Sequence, residues 1–171
     1  DIARLEIFLN ELNKVCPHIY ATGGNHDILF DRHPTVPKSL PWNYLVDPKP
    51  FGKIQDYSIY GFPYSYYRTD YGDEKQFKHH NAYAADGEYG IEESLRRVRA
   101  DIILSHSPAY GLLDKARSAS LGSYKLRDYI SEYSPKLFVC GHIHESAGTT
   151  WYNDTMIVNA AGSWVKVEVW K

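Results

Sequence analysis

The stretch Leu137-Phe138-Val139-Cys140-Gly141-His142-Ile143-His144 joins a short apolar run to a loop that carries two histidines. Four apolar residues that end at a glycine are typical of a buried strand, and a helix predicted over residues 121–133 precedes it. The same order of helix, apolar run and polar loop occurs twice more, over residues 92–99, 101–104 and 105–108, and over residues 1–15, 18–22 and 23–27. This alternation predicts an α/β fold whose three loops meet at one edge of a sheet, because parallel strands end at the same edge.

The C-terminal part of the chain has a different pattern, which predicts strands without intervening helices. The predicted strands cover residues 149–152, 156–158 and 164–169, with a turn at residues 153–154. We expect these strands to close a second sheet that packs on the first. The predicted fold is therefore an α/β fold, a layered β-sandwich flanked by helices. Weaker strand patterns occur at residues 44–46 and 57–61.

The composition indicates one ordinary globular domain over residues 1–171. Of the 171 residues, 43% are hydrophobic and 23% are charged, and the formal net charge is −2. This charge argues against a general affinity for nucleic acid or for an anionic membrane surface, which needs clustered Lys and Arg. No apolar run approaches the roughly 20 residues that a membrane span needs.

The two cysteines and the first residue bear on the origin of the chain. Cys140 lies in the apolar run 137–140, which favours a buried reduced thiol over a disulfide with Cys16. We therefore expect a cytoplasmic protein. The chain begins with Asp1 instead of Met, which indicates a processed or truncated sequence.

His142 and His144 are candidate metal ligands. In a locally extended backbone, residues two apart project to the same side, so both imidazoles would face one cavity while Ile143 points into the core. Neutral imidazoles suit Zn, Mn, Fe or Ni, and the spacing does not choose among these metals. A bare His-x-His is as often a structural turn or an exposed strand.

The loops after the other two predicted strands offer further ligands. Asn25 has an amide oxygen that can bind a metal, or it is a turn residue that bonds its own backbone. His26 and Asp27 can form a pair in which the carboxylate orients the imidazole of a general acid, or Asp27 caps the next helix. His106 is by itself as well explained as a histidine at a sheet edge. The joint occurrence of these residues, each after its own strand, favours a metal site.

These segments resemble the second half of a calcineurin-like metallophosphoesterase domain. The resemblance rests on Gly24-Asn25-His26-Asp27, Ser105-His106-Ser107-Pro108 and Gly141-His142-Ile143-His144. Residues 105–114 and Val158-Asn159-Ala160 are also similar to the subgroup of metallophosphoesterase-domain proteins found in vertebrates and bacteria. The resemblance implies the fold of that family and a centre of two divalent metal ions, with Mn, Fe, Zn or Ni as the possible metals.

The resemblance also implies a role for each motif residue. Asn25, His106 and His142 would bind one ion, and His144 would bind the other. His26 would protonate the leaving group and would be oriented by Asp27. The implied reaction is two-metal hydrolysis of a small phosphoester, most of all a phosphodiester. A phosphomonoesterase or protein phosphatase, a mononuclear zinc hydrolase and a non-catalytic binding scaffold of the same fold are the alternatives.

The first two motifs of the family, Asp-x-His and Gly-Asp, have no counterpart before Asn25. We therefore expect an N-terminally truncated domain. Its remaining ligands are one amide and three imidazoles, all neutral, and such a set binds a first ion poorly and does not fix a second one. The isolated chain is expected to be inactive or nearly so, while a longer parent protein is expected to hydrolyse phosphoesters.

The stretch from residue 31 to residue 90 matches the family poorly, so we expect it to govern the choice of substrate. It contains a Tyr-rich tract at residues 63–80, whose aromatic and cationic side chains could stack a nucleobase. The acidic residues of the tract balance its formal positive charges, which favours a solvated lid or loop over a nucleic-acid surface. The expected partner is a small phosphoester, with no nucleic acid and no membrane. The sequence assigns no oligomeric state.

Overall fold

A six-stranded sheet lies at the centre of the structure, a computed structural model that describes residues 1–46, 49–66 and 81–169. The helices are α1 (Ile2–Asn13), α2 (Ile28–Arg32), α3 (Thr35–Lys38), α4 (Gly87–Leu95) and α5 (Tyr124–Tyr133), with a 3-10 helix at His144–Ser146. The strands are β1 (Tyr20–Ala21), β2 (Asn43–Tyr44), β3 (Phe51–Ile54), β4 (Tyr57–Phe62), β5 (Ser65–Tyr66), β6 (Ala84–Ala85), β7 (Ile102–Ser105), β8 (Lys115–Ala116), β9 (Ala119–Ser120), β10 (Leu137–Cys140), β11 (Gly148–Tyr152) and β12 (Thr155–Asn159).

The central sheet has the strand order β11-β12-β10-β7-β4-β3. The four inner strands are parallel, and the two outer strands pair antiparallel with their neighbours. The carboxyl ends of β4, β7, β10 and β12 therefore meet at one edge of the sheet. Three further pairs of short strands, β1 with β2, β5 with β6 and β8 with β9, lie outside this sheet.

Helices α4 and α5 bury one face of the sheet. Ile103 and Phe138 are fully buried on neighbouring strands, in one cluster with Ile91 of α4 and Ile130 of α5. Apolar side chains at alternate strand positions point to the same face, which is why the helices cover these residues. A second, smaller cluster joins α1 to the chain around α2 and β2. The loops at the carboxyl edge of the sheet are therefore anchored by strands and helices that pack in these two clusters.

The helix predicted at the start of the chain is confirmed as α1, and the strands predicted around residues 101–104, 136–140, 149–152 and 156–158 are confirmed with small shifts at their ends. Helix α4 begins five residues before the predicted start of 92 and ends four residues before the predicted end of 99. The mixed α/β fold with a central sheet flanked by helices is confirmed. The weak strand pattern at residues 57–61 corresponds to β4, which is an inner strand of the central sheet.

Two expectations about the C-terminal part are wrong. β11 and β12 do not form a second sheet, because β12 pairs in parallel with β10 and so extends the central sheet. Residues 164–169 form no strand, although their pattern alternates. Alternation makes a segment suited to a sheet, but a strand also needs a partner with a free edge. Trp164 is instead 87% exposed.

The burial predicted for Cys140 is confirmed. Cys140 is buried and Cys16 is exposed, and both are free thiols. Within the described ranges, no helix has the length and apolar character to cross a membrane. The Tyr-rich tract at residues 63–80 falls largely outside the described residues, which end at 66 and resume at 81.

Candidate metal centre

Strands β7 and β10 bring two of the predicted loops together. Since these strands are parallel neighbours, His106 after β7 and the loop after β10 leave the sheet side by side. The backbone N–H of Gly141 donates to the carbonyl of His106 at 3.1 Å, and the N–H of His106 donates to the carbonyl of Phe62 at 2.8 Å. The ladder of the sheet therefore continues into the loops and fixes the backbone of His106.

Asn25 reaches the same place from β1. Its side-chain oxygen lies 2.8 Å from Nε2 of His106, and the residue is only 8% exposed. The amide therefore bonds a distant side chain instead of its own backbone. A bond that joins positions 25 and 106 depends on the tertiary fold, because the two residues lie 81 positions apart in the sequence.

Asn81 holds the other end of the Asn25 amide, and the sequence analysis did not identify this residue. The side-chain nitrogen of Asn25 donates to the side-chain oxygen of Asn81 at 2.8 Å. The neighbouring N–H of Ala82 donates to the backbone carbonyl of Asn25, also at 2.8 Å. With its nitrogen held by Asn81, the Asn25 amide turns its oxygen to His106. Asn81 belongs to no motif, because its contact with Asn25 depends on the path of the chain between the two residues.

His142 lies next to His106, with the ring centroids 4.6 Å apart. Its backbone is left-handed, with φ of 67°, so the extended conformation expected for the loop is wrong at this residue. Ile143 is 5% exposed and points into the core, as predicted. His144 begins the 3-10 helix and is exposed, and a side chain on Gly162 would approach its Nδ1 to 3.4 Å. The loop is therefore kinked between the two histidines instead of extended.

Asn159 fixes the loop that carries these histidines. This residue is fully buried at the end of β12, and its side-chain nitrogen donates to the carbonyls of Ile143 at 2.9 Å and Leu113 at 3.0 Å. Its side-chain oxygen accepts the N–H of Ala161 at 3.0 Å. A buried amide with three partners is satisfied and rigid, so it determines the path of the histidine loop.

His26 and Asp27 occupy the turn after Asn25. The carboxylate of Asp27 accepts the backbone N–H of Gly24 at 2.8 Å, which closes the turn. Asp27 is also the residue before α2, but its side chain makes no capping bond there. His26 is exposed, and its effect on Asp27 is electrostatic, because its charge lowers the pKa of a carboxyl whose pKa burial raises overall.

The electrostatics of the cluster favour neutral imidazoles. Burial, and then the charges of His142 and His26, lower the pKa of His106 to about 3. Burial, followed by the charges of His26 and His144, also lowers the pKa of His142, although the residue as a whole is exposed. A neutral imidazole has a free nitrogen lone pair, which is the form that binds a metal.

The residues gathered here fit one divalent ion better than two. Two ligands about 2.1 Å from an ion and at a right angle lie roughly 3 Å apart, and the 2.8 Å between Asn25 and His106 is close to that separation. Within the described ranges, no group of three or more His, Cys, Asp or Glu side chains is arranged to hold a metal. The candidate ligands that lie in contact are the Asn25 amide and the imidazoles of His106 and His142.

A hollow of about 300 Å³ lies beneath these loops. It is lined by residues 22–27, 104–106 and 139–141 and by Ala160. Leu104 and Val139 form an apolar floor on the face of the sheet that α4 and α5 leave uncovered. An apolar floor below neutral donors strengthens electrostatic interactions of a bound ion, because it excludes water on one side.

Comparison with known proteins places the chain in a family. A family model described as calcineurin-like phosphoesterase matches residues 3–146. The chain belongs to the calcineurin-like phosphoesterase family. A search of curated proteins returned no match. The family resemblance that the motifs carry is thus confirmed, and the subgroup remains a prediction.

Solved structures share the fold. One crystal structure superposes with a TM-score of 0.68 at 15% identity, covering 94% of this chain and 63% of that chain. The crystal structure of TT1561 of Thermus thermophilus superposes with a TM-score of 0.58 at 15% identity, covering 94% of this chain and 70% of that chain. The chain therefore spans less than two thirds of the length of the first of these structures.

Proposed function

We propose that the chain takes part in the hydrolysis of phosphoesters, phosphodiesters in particular, at a centre of two divalent metal ions. The observation that carries the proposal is the contact of Asn25, His106 and His142 at the carboxyl edge of the sheet. These three residues would bind one ion, and His144 would bind the second. Bound ions would neutralise charge on the phosphoryl oxygens and so lower the barrier to substitution at phosphorus.

The residues of the chain itself position the ester and move a proton. His26 is exposed at the mouth of the hollow, where its imidazolium can donate a proton to the oxygen of the leaving group. The bond from the N–H of Gly24 to the carboxylate of Asp27 closes the turn on which His26 sits. His26 therefore acts from the loop, beside Asn25 and His106, which line the same hollow.

We also propose that this chain supplies only part of the ligand set. The side chains in contact here, Asn25, His106 and His142, are neutral ligands, whereas carboxylates balance the charge of divalent ions in many protein sites. Carboxylate ligands from sequence outside these 171 residues would complete the centre. A cytoplasmic location is part of the proposal, since both cysteines are free thiols.

A paired assay tests this function. Purified chain in buffer with Mn²⁺ is offered bis-p-nitrophenyl phosphate and p-nitrophenyl phosphate, and binding of Mn²⁺ and Zn²⁺ is measured by calorimetry. We expect weak binding of one ion per chain, binding that is lost in His106→Ala, and little turnover of either ester. A longer protein that contains this sequence is expected to prefer the diester. Robust turnover by the 171-residue chain would contradict the partial ligand set, and no metal binding would contradict the metal centre.

A non-catalytic scaffold of the same fold is the second candidate. The neutral donor set favours it, because a site without charged ligands does not hold two ions. The scaffold predicts that the longer protein also fails to turn over either ester with Mn²⁺, Zn²⁺ or Ni²⁺ present. Catalysis by the longer protein removes this alternative.

A further inference from the structure

A second hollow lies beside the metal loops, on the side of Asn25 that faces Asn81. Its volume is about 450 Å³, which falls in the range of about 300–1,000 Å³ for sites that bind small molecules. The described lining includes three aromatic rings and one charged residue. The residues that matter here are Phe30, Asp31, Tyr64, Asn81, Tyr83 and Ala84.

Three contacts connect the walls of this hollow to the metal loops. Asn81 accepts the side-chain N–H of Asn25 at 2.8 Å. The carbonyl of Tyr64 accepts the hydroxyl of Ser107, one residue after His106, at 2.9 Å. Tyr83 packs so closely on the loop before Asn25 that a side chain on Gly23 would collide with its ring. The second hollow therefore shares a wall with the site that holds the ester.

The lining selects ligands by shape and by charge. Rings of Phe30, Tyr64 and Tyr83 offer flat apolar surfaces on which a planar group can stack. Asp31 is the one charged side chain among the described lining residues, and it is negative. A carboxylate attracts hydrogen-bond donors and cations and repels a second phosphate or a carboxylate.

Two tyrosines at the hollow, Tyr44 and the partly buried Tyr83, are influenced by the charge of Asp31, which is itself exposed. Tyr44 and Tyr83 join their hydroxyls at 3.1 Å behind the hollow. Burial raises the pKa of both, and the charges of Asp27 and Asp31 raise it further. The tyrosines therefore stay neutral, and Asp31 leaves the region negative.

We propose that this second hollow binds the leaving group of the ester and selects a planar group that is uncharged or cationic. This inference rests on the proposed function for the place of the phosphate, but the selectivity belongs to the hollow alone. The substrate class is then an ester of a single phosphate with an aromatic or heterocyclic alcohol. The charge of Asp31 disfavours polyphosphates and phosphorylated acidic peptides.

Binding of small probes tests the selectivity without catalysis and without metal. Benzamidine and benzoate have the same flat ring and opposite charges, and cyclohexanecarboxamidine keeps the cation but loses the planar ring. Each is titrated into isotopically labelled 171-residue chain and followed by NMR. We expect benzamidine to bind about tenfold more tightly than benzoate, with shifts at Asn81 and Ala84, and more tightly than the cyclohexane analogue. Equal binding of benzamidine and benzoate would overturn the proposal.

Two variants locate the site. Asp31→Asn is expected to reduce the preference for benzamidine over benzoate to about twofold, because only the charge is lost. Ala84→Leu narrows the hollow and is expected to weaken the binding of benzamidine about tenfold. Ala119→Leu, on an exposed hairpin, is the matched control and should bind as the unaltered chain does. If Asp31→Asn keeps the full preference, the hollow is not the source of the selectivity.

Failure of this inference is distinguishable from failure of the proposed function. Hydrolysis of bis-p-nitrophenyl phosphate by a longer protein, without any preference for benzamidine in the chain, would overturn the inference and leave the function in place. The preference without hydrolysis would overturn the catalytic function, and the hollow would remain a binding site for planar cations. In that case the claim that it holds a leaving group is overturned as well.

Discussion

The oxygen of the Asn25 side chain faces His106, a residue of the sequence motifs. Its nitrogen faces Asn81, a residue that no motif contains. His106 belongs to the motif loops, and Asn81 belongs to the middle segment, residues 31–90, which contains none of the motifs and lies within the range that the family model matches. The two partners of the Asn25 amide therefore come from regions with different sequence signals. A metal ligand must be one of a few residue types, whereas a residue that orients it needs only a polar side chain within hydrogen-bond distance.

Removal of His106 should have the largest effect on this pair. His106→Ala deletes an imidazole donor and the hydrogen-bond partner of Asn25. We expect the affinity for Zn²⁺, measured by calorimetry, to fall by more than the roughly 10- to 100-fold loss that residues orienting a ligand produce. An affinity within twofold of the unaltered chain would place the ion elsewhere.

Gly24 tests how tightly the motif loops pack. A side chain on Gly24 would lie 2.5 Å from Nδ1 of His106, so Gly24→Ala must displace the ring. We expect the free energy of unfolding to fall by about 2 kcal/mol, as overpacking does, together with weaker metal binding. Urea denaturation measures the first effect. Gly141→Ala is the matched control, because no atom lies within 4 Å of its added carbon, and equal losses in the two variants would contradict the packing argument.

Asn81→Ala sharpens the comparison, since it leaves every proposed donor in place. The Asn25 amide loses the partner that orients it, so Zn²⁺ affinity should fall about tenfold while the number of ions per chain stays the same. Asn10→Ala, on the exposed side of α1, removes an amide far from the site and should change nothing. Unaltered affinity in Asn81→Ala would show that Asn25 is oriented without the middle segment.

Glu88 shows the middle segment stabilising a helix outside itself. Its carboxylate accepts the hydroxyl of Ser123 at 2.6 Å and the backbone N–H groups of Tyr124 at 2.8 Å and Lys125 at 3.1 Å, at the start of α5. Glu88→Ala should lower the free energy of unfolding by about 1 kcal/mol, as loss of a helix cap does. Glu92→Ala removes an exposed ion pair with Lys125 and should cost less. The prediction fails if Glu92→Ala is the more damaging change.

Asp101 gives the smallest expected effect and depends on pH. The hydroxyl and N–H of Ser58 donate to its carboxylate at 2.7 and 2.9 Å, which holds the pKa of Asp101 below its ordinary 3.8. This ionised carboxylate stabilises the folded state above the unfolded pKa, and the contribution disappears as the pH falls through the lower folded pKa. Asp101→Asn should therefore cost less than about 1 kcal/mol at pH 7 and almost nothing near pH 2. Urea denaturation at both pH values checks the sign.

Strand predictions succeeded where the core dictates the pattern. The runs at β7 and β10 are apolar because both strands lie inside a parallel sheet, and their sequences show this directly. The segment 164–169 has an equally clear alternation but forms no strand, since a partner edge is a property of the whole fold. β4 has a weaker pattern yet lies inside the sheet, where neighbours on both sides supply its hydrogen bonds.

The same division applies to the candidate site. Asn25, His106 and His142 were predicted as metal ligands from their residue types and their positions after strands. The structure places them in contact, and their binding of a metal stays a prediction. The left-handed backbone of His142 and the bonds of Asn159 to the histidine loop could not be read from the pattern. They depend on how loops from different strands fit around one another.

The sequence by itself determined which side chains can bind a metal and which apolar runs fill the core, because residue chemistry and hydrophobic periodicity are local properties. Only the tertiary structure decided that Asn81 orients Asn25, that β12 extends the central sheet, and that a second hollow lies beside the loops. These features join residues far apart in the chain. Their positions follow from the packing of whole elements, and a local pattern contains no information about a partner that is distant in sequence.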